Sequence, residues 1–281
     1  MGGWNDHGVD PKAYSNKICA LVAENVRQHE TKFEKQIEMS ERILQSIIVK
    51  SVKENKEMGS STLLVLYLDQ AKNKNELYTA YLGDSSYLIA RPTGVGNFKL
   101  LAKAEEQCHS FNFPFQVGTN GDDPSKAITH KHHVQQYDLV IAASDGLWDN
   151  LEVEEVLQEI NKLSKENNSI SLNTESLSQS ISKKAEFVSY DKRYLSPFAK
   201  KARENKYKNF IGGKPDDITV VAAQILHRPY EDEKLVSLHT SKSEEFDNKS
   251  DHSSSTNNSL DLEDTANSSL DLNDSQTSRM S

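Results

Sequence analysis

The chain has 281 residues, enough for one large domain or two small ones, and 36% of them are hydrophobic. Its net charge of −9 arises mainly from Glu231–Ser281, which holds 12 acidic and four basic residues, whereas Met1–Tyr230 holds 30 acidic and 29 basic residues. The main part has no basic block, and no apolar run reaches the roughly 18 residues of a membrane span, so we expect no nucleic-acid partner and no membrane association.

The cysteines and the N-terminus bear on the compartment. Cys19 and Cys108 are the only cysteines, and they form neither a C-x-x-C pair nor a zinc-binding spacing. Isolated thiols of this kind are typical of a reduced, intracellular protein. Met1–Asp10 has the features of neither a signal peptide nor an Arg-rich transit peptide. We expect a soluble monomer that is cytoplasmic as the sequence stands, or organellar if a targeting segment precedes Met1.

The first elements in chain order are two helices and a strand. Pro11–Glu30 and Glu34–Lys56 carry apolar residues at helical spacing, which predicts two amphipathic helices. Gly59-Ser60-Ser61 ends the second helix. The apolar run Thr62–Leu68 then predicts a buried strand.

The next strands are separated by a turn sequence. Leu77–Leu82 and Tyr87–Ala90 flank Gly83-Asp84-Ser85-Ser86, which predicts a hairpin with a tight Gly-Asp turn. Phe98–Leu101 is a further predicted strand.

A short apolar strand brings one carboxylate to the edge of the core. Five consecutive apolar residues, Leu139–Ala143, end in Ser144-Asp145-Gly146, the pattern of a strand buried on both faces. A carboxylate at that place is costly unless a cation or several donors satisfy it, so Asp145 is either a metal ligand or a helix N-cap. Asp149 and Asn150 are better placed than Asp145 to cap the helix that follows.

The second half of the chain is predicted to be helical up to a last strand. Glu152–Lys165 has one apolar face and predicts a helix, whereas the Ser/Asn-rich Asn167–Ser180 predicts a mobile loop. Lys184–Lys206 predicts helix with a break and a new start at Pro197. Asp217–Leu226 predicts a buried strand. Antiparallel neighbours with segregated helices indicate an α+β fold rather than alternating βαβ units.

The composition changes after residue 228. Residues 1–228 form the predicted folded domain, and residues 229–281 are acidic and rich in Ser, Asn and Asp, which is typical of a disordered tail. Asn257–Ala266 is nearly repeated by Asn267–Gln276. The paired SLDL units are either short docking motifs or low-complexity sequence without a function, and we favour the second interpretation.

Three acidic residues share one local pattern, because each lies at a turn beside a predicted buried strand. They are Asp84, Asp145 and Asp216. If these strand ends meet at one edge of the fold, the carboxylates form a cluster whose oxygens suit Mg²⁺ or Mn²⁺. The alternative, which the spacing alone supports equally well, is that each Asp only caps its own turn.

The histidines of the HKHH sequence are a second candidate site. The cluster consists of His130, His132 and His133, and on a strand His130 and His132 share a face. Transition-metal binding suits imidazoles, but no fourth ligand is near in sequence, so we favour a solvated strand edge. The sequence has no Gly-rich nucleotide-binding loop and no G-x-S-x-G motif, so nucleotide-binding and α/β-hydrolase functions have no support.

Seven segments together resemble the metal-dependent protein phosphatases, the PPM or type 2C family, and are most similar to its compact subfamily with organellar members. The segments are Gly2-Gly3-Trp4 with Gly8-Val9-Asp10-Pro11, GSSTLLVLYLD (59–69), YLGDSSYLIAR (81–91), FNFPFQVG (111–118), DLVIAASDGLWDNL (138–151), YLSPFAKKA (194–202) and GGKPDDITVVAAQI (212–225). Each alone is weakly specific. Together they occur in the family's order and cover Met1 to about His227, which is strongly specific.

The resemblance implies an α-β-β-α sandwich, in which two antiparallel sheets lie face to face between helix pairs. It also implies a binuclear Mg²⁺ or Mn²⁺ centre at one edge of the sheets. By position, Asp145 and Asp216 match metal-ligating carboxylates, and Asp84 matches the acidic residue near the metal-bound waters or a third metal. The implied reaction is hydrolysis of phosphoserine or phosphothreonine in a phosphoprotein substrate by a metal-activated water.

The front of the chain departs from the family pattern. The motif Asp-Gly-Val-Gly-Gly-Trp would place a metal-bridging Asp and a Gly carbonyl ligand before Met1, and the strand with a phosphate-gripping Arg further upstream. We therefore expect an N-terminally incomplete sandwich that is weakly active or inactive as it stands. The alternatives are a pseudophosphatase that binds a partner without hydrolysis and an enzyme acting on other phosphomonoesters.

Overall fold

The computed structural model describes residues 2–32, 38–69 and 75–226. The helices in these ranges are α1 (Pro11–Lys32), α2 (Glu41–Glu54), α3 (Asp145–Trp148), α4 (Val153–Glu166), α5 (Thr174–Ser189) and α6 (Pro197–Glu204). The strands are β1 (Ser60–Ser61), β2 (Leu63–Asp69), β3 (Glu76–Leu82), β4 (Ser86–Pro92), β5 (Phe98–Lys103), β6 (Cys108–Ser110), β7 (Phe113–Pro114), β8 (Val117–Gly118), β9 (Ile128–His133), β10 (Leu139–Ala143) and β11 (Val220–Gln224). The predicted tail, residues 229–281, lies outside the described residues. No helix within the described ranges is long and apolar enough to cross a membrane.

Two antiparallel sheets carry the fold. One has the strand order β11-β10-β4-β5, and the other has the order β2-β3-β9. Two short pairs, β1 with β8 and β6 with β7, stand apart from them. Because β10 lies between β4 and β11, its apolar residues are largely buried on both faces, as the sequence predicts.

Three hydrophobic clusters define the layers of the molecule. Side chains of α1 and α2 pack against one face of β2 and β3. Side chains of α4 and α5 pack against the outer face of β4 and β10. Tyr81 of β3 meets Tyr87 and Ile89 of β4 and Val140 of β10 between the two sheets. The result is an α-β-β-α sandwich, so the predicted α+β class of two antiparallel sheets flanked by helix pairs is confirmed.

The predicted hairpin across Gly83-Asp84-Ser85-Ser86 is wrong, because the chain crosses there from one sheet to the other. β3 pairs with β2 and β9, whereas β4 pairs with β5 and β10. Gly83 has a φ of +116°, and a Cβ at this position would lie 2.5 Å from Thr62 Cγ2 and 2.8 Å from Phe115 O. Only glycine fits this turn without strain. The crossing puts Asp84 at the point where the two sheets are joined.

The region predicted as a mobile loop at Asn167–Ser180 contains the first half of α5. The Asn173 side chain caps this helix by accepting a hydrogen bond from Ser176 N at 2.9 Å. Leu177 and Ile181 are fully buried one turn apart, so the helix is held by its packing rather than by its polar composition.

The start of one helix and the capping residue of another differ from the sequence prediction. The second helix begins at Glu41 rather than Glu34, because the Ser40 side chain accepts a hydrogen bond from Ile43 N at 3.3 Å. α4 is capped by Glu152 and not by Asp149 or Asn150. Glu152 and Glu155 form a reciprocal capping box, in which Glu152 N donates to Glu155 Oε2 at 2.9 Å.

Two strands predicted to be buried lie at sheet edges. Within the described residues, β2 and β11 each have a neighbouring strand on one side only. The alternation along β11 leaves Val221 57% exposed. An apolar run of five or six residues therefore does not by itself distinguish an edge strand from a central one.

An ion pair with a buried carboxylate holds the end of β10 opposite to Asp145. Asp138 is fully buried and accepts hydrogen bonds from Arg91 Nε at 2.9 Å and from Arg91 Nη2 at 2.7 Å. Arg91 Nη2 also donates to His133 O at 3.1 Å. Because His133 belongs to β9, this pair connects the two sheets of the sandwich.

Candidate active site

The three predicted site residues lie at one end of three neighbouring strands. The first residues of β4 and β11 both pair with Ala143, the last residue of β10. Asp145 follows β10 by two residues, Asp84 precedes β4 by two, and Asp216 precedes β11 by four. The structure therefore brings all three carboxylates to the same end of the strands of the four-stranded sheet, as the hypothesis of a carboxylate cluster predicts. We call this end of the sheet, with Asp84, Asp145 and Asp216, the acidic edge.

A lysine lies at the centre of this acidic edge. Lys214 Nζ is 2.9 Å from Asp145 Oδ2 and 2.7 Å from Asp149 Oδ2. The same nitrogen lies 3.2 Å from Asp216 Oδ2. The Lys214 side chain is only 18% exposed, so its ammonium offsets part of the charge of three carboxylates in a site that is partly withdrawn from water and stays net negative.

Asp149 and Lys214 are site residues that the sequence analysis missed. Asp149 follows Asp145 by four residues across α3, a spacing that puts two side chains on one helical face. Lys214 belongs to the same loop as Asp216. The spacing of Asp149 and the position of Lys214 near Asp216 can both be read from the sequence. That these residues form one cluster follows only from the contact between α3 and this loop.

Asn150 and Gly146 fix the loop against α3. The Asn150 side chain accepts a hydrogen bond from Lys214 N at 2.9 Å and donates to Lys214 O at 2.8 Å. A Cβ on Gly146 would lie 2.5 Å from Asp217 O, so the close approach of loop and helix requires glycine. Ser144 Oγ adds a hydrogen bond to Asp217 O at 3.1 Å.

Burial and neighbouring charges shift the pKa values of two residues at the acidic edge, Asp84 and Lys214. Burial, followed by the negative charge of Asp145, raises the pKa of Asp84 to about 6. Burial alone would lower the pKa of the Lys214 ammonium, but Asp149 and Asp145 more than compensate and hold this pKa above its ordinary range. Lys214 is therefore a permanent cation at neutral pH.

Comparison with known proteins identifies the family. No protein-family profile matches the chain. The protein phosphatase PTC7 homologue of Danio rerio is 33% identical over 230 residues, which is 79% of this chain and 73% of that protein. The Homo sapiens homologue is also 33% identical over 230 residues, covering 79% and 71%. The chain belongs to the PPM family of protein phosphatases. It is therefore a phosphatase enzyme by family.

A solved structure supports the fold of this phosphatase. The X-ray structure of the photosystem II phosphatase PBCP superimposes with a TM-score of 0.65 at 23% sequence identity, covering 79% of this chain and 83% of that one. At this identity the match bears on the fold alone. It agrees with the sandwich described above.

The donor chemistry of the acidic edge fits a hard divalent cation. The oxygens of Asp145, Asp149 and Asp216 surround one point, and carboxylate oxygens are the ligands that Mg²⁺ and Mn²⁺ prefer. The three carboxylates are spaced around an ammonium group. Within residues 2–32, 38–69 and 75–226, no group of three or more His, Cys, Asp or Glu side chains has a spacing that could hold a metal ion. Lys214 has to leave this point for a metal ion to take it.

The histidine sequence of this phosphatase serves the interface between the sheets. His132 Nε2 lies 2.7 Å from Tyr87 OH, and the His130 ring stacks on Tyr81 with centroids 6.1 Å apart. His130 and His132 share a face, as predicted. We predicted that these histidines lie on a solvated strand edge. This is correct for His130, which is exposed, but not for His132, which is half-buried against Tyr87.

Lys103 is half-buried close to the acidic edge, where it contacts Ser86 and Trp148. Lys103 Nζ donates to Ser86 Oγ at 2.6 Å and lies 4.0 Å from the centroid of the Trp148 ring. Trp148 Nε1 in turn donates to Ser86 O at 3.2 Å, at the start of β4. Burial lowers the pKa of Lys103 from 10.5 to about 8, although the negative charge of Glu106 opposes the shift.

We expect Lys103→Met to stabilise the protein at pH 7 by about 1 kcal/mol, measured by urea unfolding. The charged form of Lys103 is disfavoured in the folded state. Its cost is fully present below pH 8 and disappears as the pH rises from 8 to 10.5, so the gain from Lys103→Met should shrink over that range. The exposed Lys99 on the same strand is the control, and Lys99→Met should change stability little at either pH. A gain that is equal at pH 7 and pH 10 would contradict this account.

Proposed function

We propose that this phosphatase hydrolyses phosphoserine and phosphothreonine in protein substrates, with Mg²⁺ or Mn²⁺ at the acidic edge, and that it acts as a monomer. The observation that carries the proposal is the position of Asp84, Asp145 and Asp216 at the same end of three adjacent strands. We assign residues 1–228 to the phosphatase domain and residues 229–281 to a tail outside it.

Each residue of the edge has a proposed task. Asp145 and Asp216 would hold the metal, and Asp84 lies beside them to orient a water. A bound divalent cation supplies a water of lowered pKa and neutralises charge on the phosphate. Asn150 holds the Lys214 backbone through two hydrogen bonds. Once displaced from the carboxylates by a metal ion, the Lys214 ammonium would stay near the site and could contact the phosphate oxygens.

The test is phosphate release from a phosphothreonine peptide by the 281-residue chain. Because the sequence predicts weak activity for this chain, we expect slow but measurable release with Mn²⁺ and none with EDTA, measured as inorganic phosphate over time. Release that is unchanged by EDTA would contradict the metal-based mechanism. A parallel measurement of Mn²⁺ binding by calorimetry separates loss of metal from loss of chemistry.

A second candidate function is phosphate-dependent binding without turnover. The observation in its favour is Lys214, whose ammonium occupies the point among the carboxylates that a metal ion would need. This pseudophosphatase predicts that the chain binds a phosphopeptide in the presence of EDTA and releases no phosphate with Mn²⁺. The same assay therefore decides between the two candidates.

A further inference from the structure

One segment next to the acidic edge is strongly basic, although the domain as a whole is nearly neutral. From Lys192 to Lys214 the sequence has eight Lys or Arg residues and one acidic residue, Glu204. Some of these cations have partners, since Lys200 pairs with Glu152 at 2.7 Å. Lys206 and Lys208 are exposed, and their ammonium groups face solvent just beyond α6. The segment therefore carries excess positive charge that is available to a partner.

The same segment builds a cluster of aromatic rings. Phe198 of α6 lies with its ring centroid 5.0 Å from Phe111 and 5.4 Å from Phe210. Tyr207 completes the cluster, 5.6 Å from Phe111. Tyr207 is 61% exposed, and the neighbouring Ile211 is 49% exposed. An apolar surface flanked by lysines is thus presented on one side of the molecule.

This surface is continuous with the acidic edge. Lys214 Nζ lies 5.1 Å from the centroid of the Phe198 ring, and Phe198 N donates to Asp149 O at 3.0 Å. Phe198 therefore belongs to the aromatic cluster and also contacts two residues of the acidic edge, Lys214 and Asp149. A chain bound with one side group at Lys214 would extend directly over Phe198 and its neighbours.

The surface is also held in place before any partner binds. Arg203 Nε donates to Phe210 O at 2.7 Å, and Phe210 N donates to Tyr207 O at 2.9 Å. Lys201 Nζ lies 2.6 Å from Glu106 Oε1, which fastens α6 to the segment before β6. A preformed surface binds with a smaller entropy cost than a disordered one.

We propose that this basic and aromatic surface, residues 192–211 with Phe111, binds the part of the substrate next to the phosphorylated residue, and that it selects acidic segments carrying an apolar side chain. The proposal rests on the proposed function, because it takes the phosphate to lie at the acidic edge. The unpaired charges of Lys206 and Lys208 complement acidic residues of the substrate, and the exposed Tyr207 and Ile211 complement the apolar side chain.

The test compares two phosphothreonine peptides that differ only in their flanks, one with Glu residues and a Leu, the other with Lys residues and the same Leu. Binding to the full chain is measured by fluorescence anisotropy, and we expect the Glu peptide to bind about tenfold more tightly. The double variant Lys206→Gln/Lys208→Gln should reduce this ratio to about threefold or less. The matched control Lys162→Gln/Lys183→Gln, on exposed positions of α4 and α5, should leave it unchanged.

Equal binding of the two peptides, or an equal loss in both double variants, would overturn the proposal. Tyr207→Ala gives a second reading, since it should weaken a Leu-containing peptide several-fold and leave the same peptide with Ala nearly unaffected. Turnover of p-nitrophenyl phosphate, which has no flanking residues, reports on the proposed function separately. Flank selectivity without that turnover would contradict the proposed function and support the surface.

Discussion

Replacing Asp145 by Asn is expected to lower Mn²⁺-dependent phosphate release at least about 100-fold and to weaken Mn²⁺ binding at least about tenfold. Asn keeps the size of the side chain and its place at the start of α3 but removes one anionic oxygen from the point where three carboxylates converge. Phosphate release and calorimetric Mn²⁺ binding are measured on the same preparation. The binding measurement keeps the test informative if turnover of the chain is slow.

The matched control for this variant is Asp123→Asn. Asp123 is exposed, and its side chain accepts a hydrogen bond from Ser125 N at 2.9 Å. Asn provides the same acceptor, so the control changes the net charge equally without disturbing its own turn. Both readouts should stay within about twofold of the natural protein. Equal losses in the two variants would show that net charge, and not a site at Asp145, controls the activity.

The elements that the sequence predicted well are those fixed by local periodicity. α1, α4 and β10 follow from apolar spacing within one segment, and their positions agree with the prediction to within a few residues. The pairing of β3 with β4 failed because a Gly-Asp turn has the same sequence whether it closes a hairpin or carries the chain into a second sheet. Which strand lies beside which is set by contacts between residues far apart in sequence.

The candidate site shows the same division. Asp84, Asp145 and Asp216 could be selected from their common position at strand ends, and the register places those ends together. The role of Lys214 could not be predicted in this way, because the position of its ammonium group depends on contacts with carboxylates from α3 and from its own loop. The first half of α5 was missed for a related reason, because its buried residues, Leu177 and Ile181, lie within a Ser-rich sequence.

The ion pair between Arg91 and Asp138 connects the two sheets of the sandwich. Replacing Arg91 by Met is expected to destabilise the protein by about 3 kcal/mol and to lower the melting temperature by roughly 8 °C. Met keeps the apolar part of the side chain, but it leaves the fully buried carboxylate of Asp138 without a cation. It also removes the hydrogen bond from Arg91 Nη2 to His133 O, which joins the second sheet. Urea unfolding at pH 7 measures the change.

A surface ion pair and a double variant make this prediction specific. Lys131 is 47% exposed and 2.9 Å from Glu76, so Lys131→Met should cost less than about 1 kcal/mol. In Arg91→Met/Asp138→Leu the unpaired charge is also removed, so this double variant should regain part of the stability that Arg91→Met loses. If the double variant is less stable than Arg91→Met by the full effect of Asp138→Leu alone, the two residues are not coupled and the argument fails. A recovery would locate the cost in the uncompensated buried carboxylate, which is the reason that Arg91 has to reach across from β4 to the start of β10.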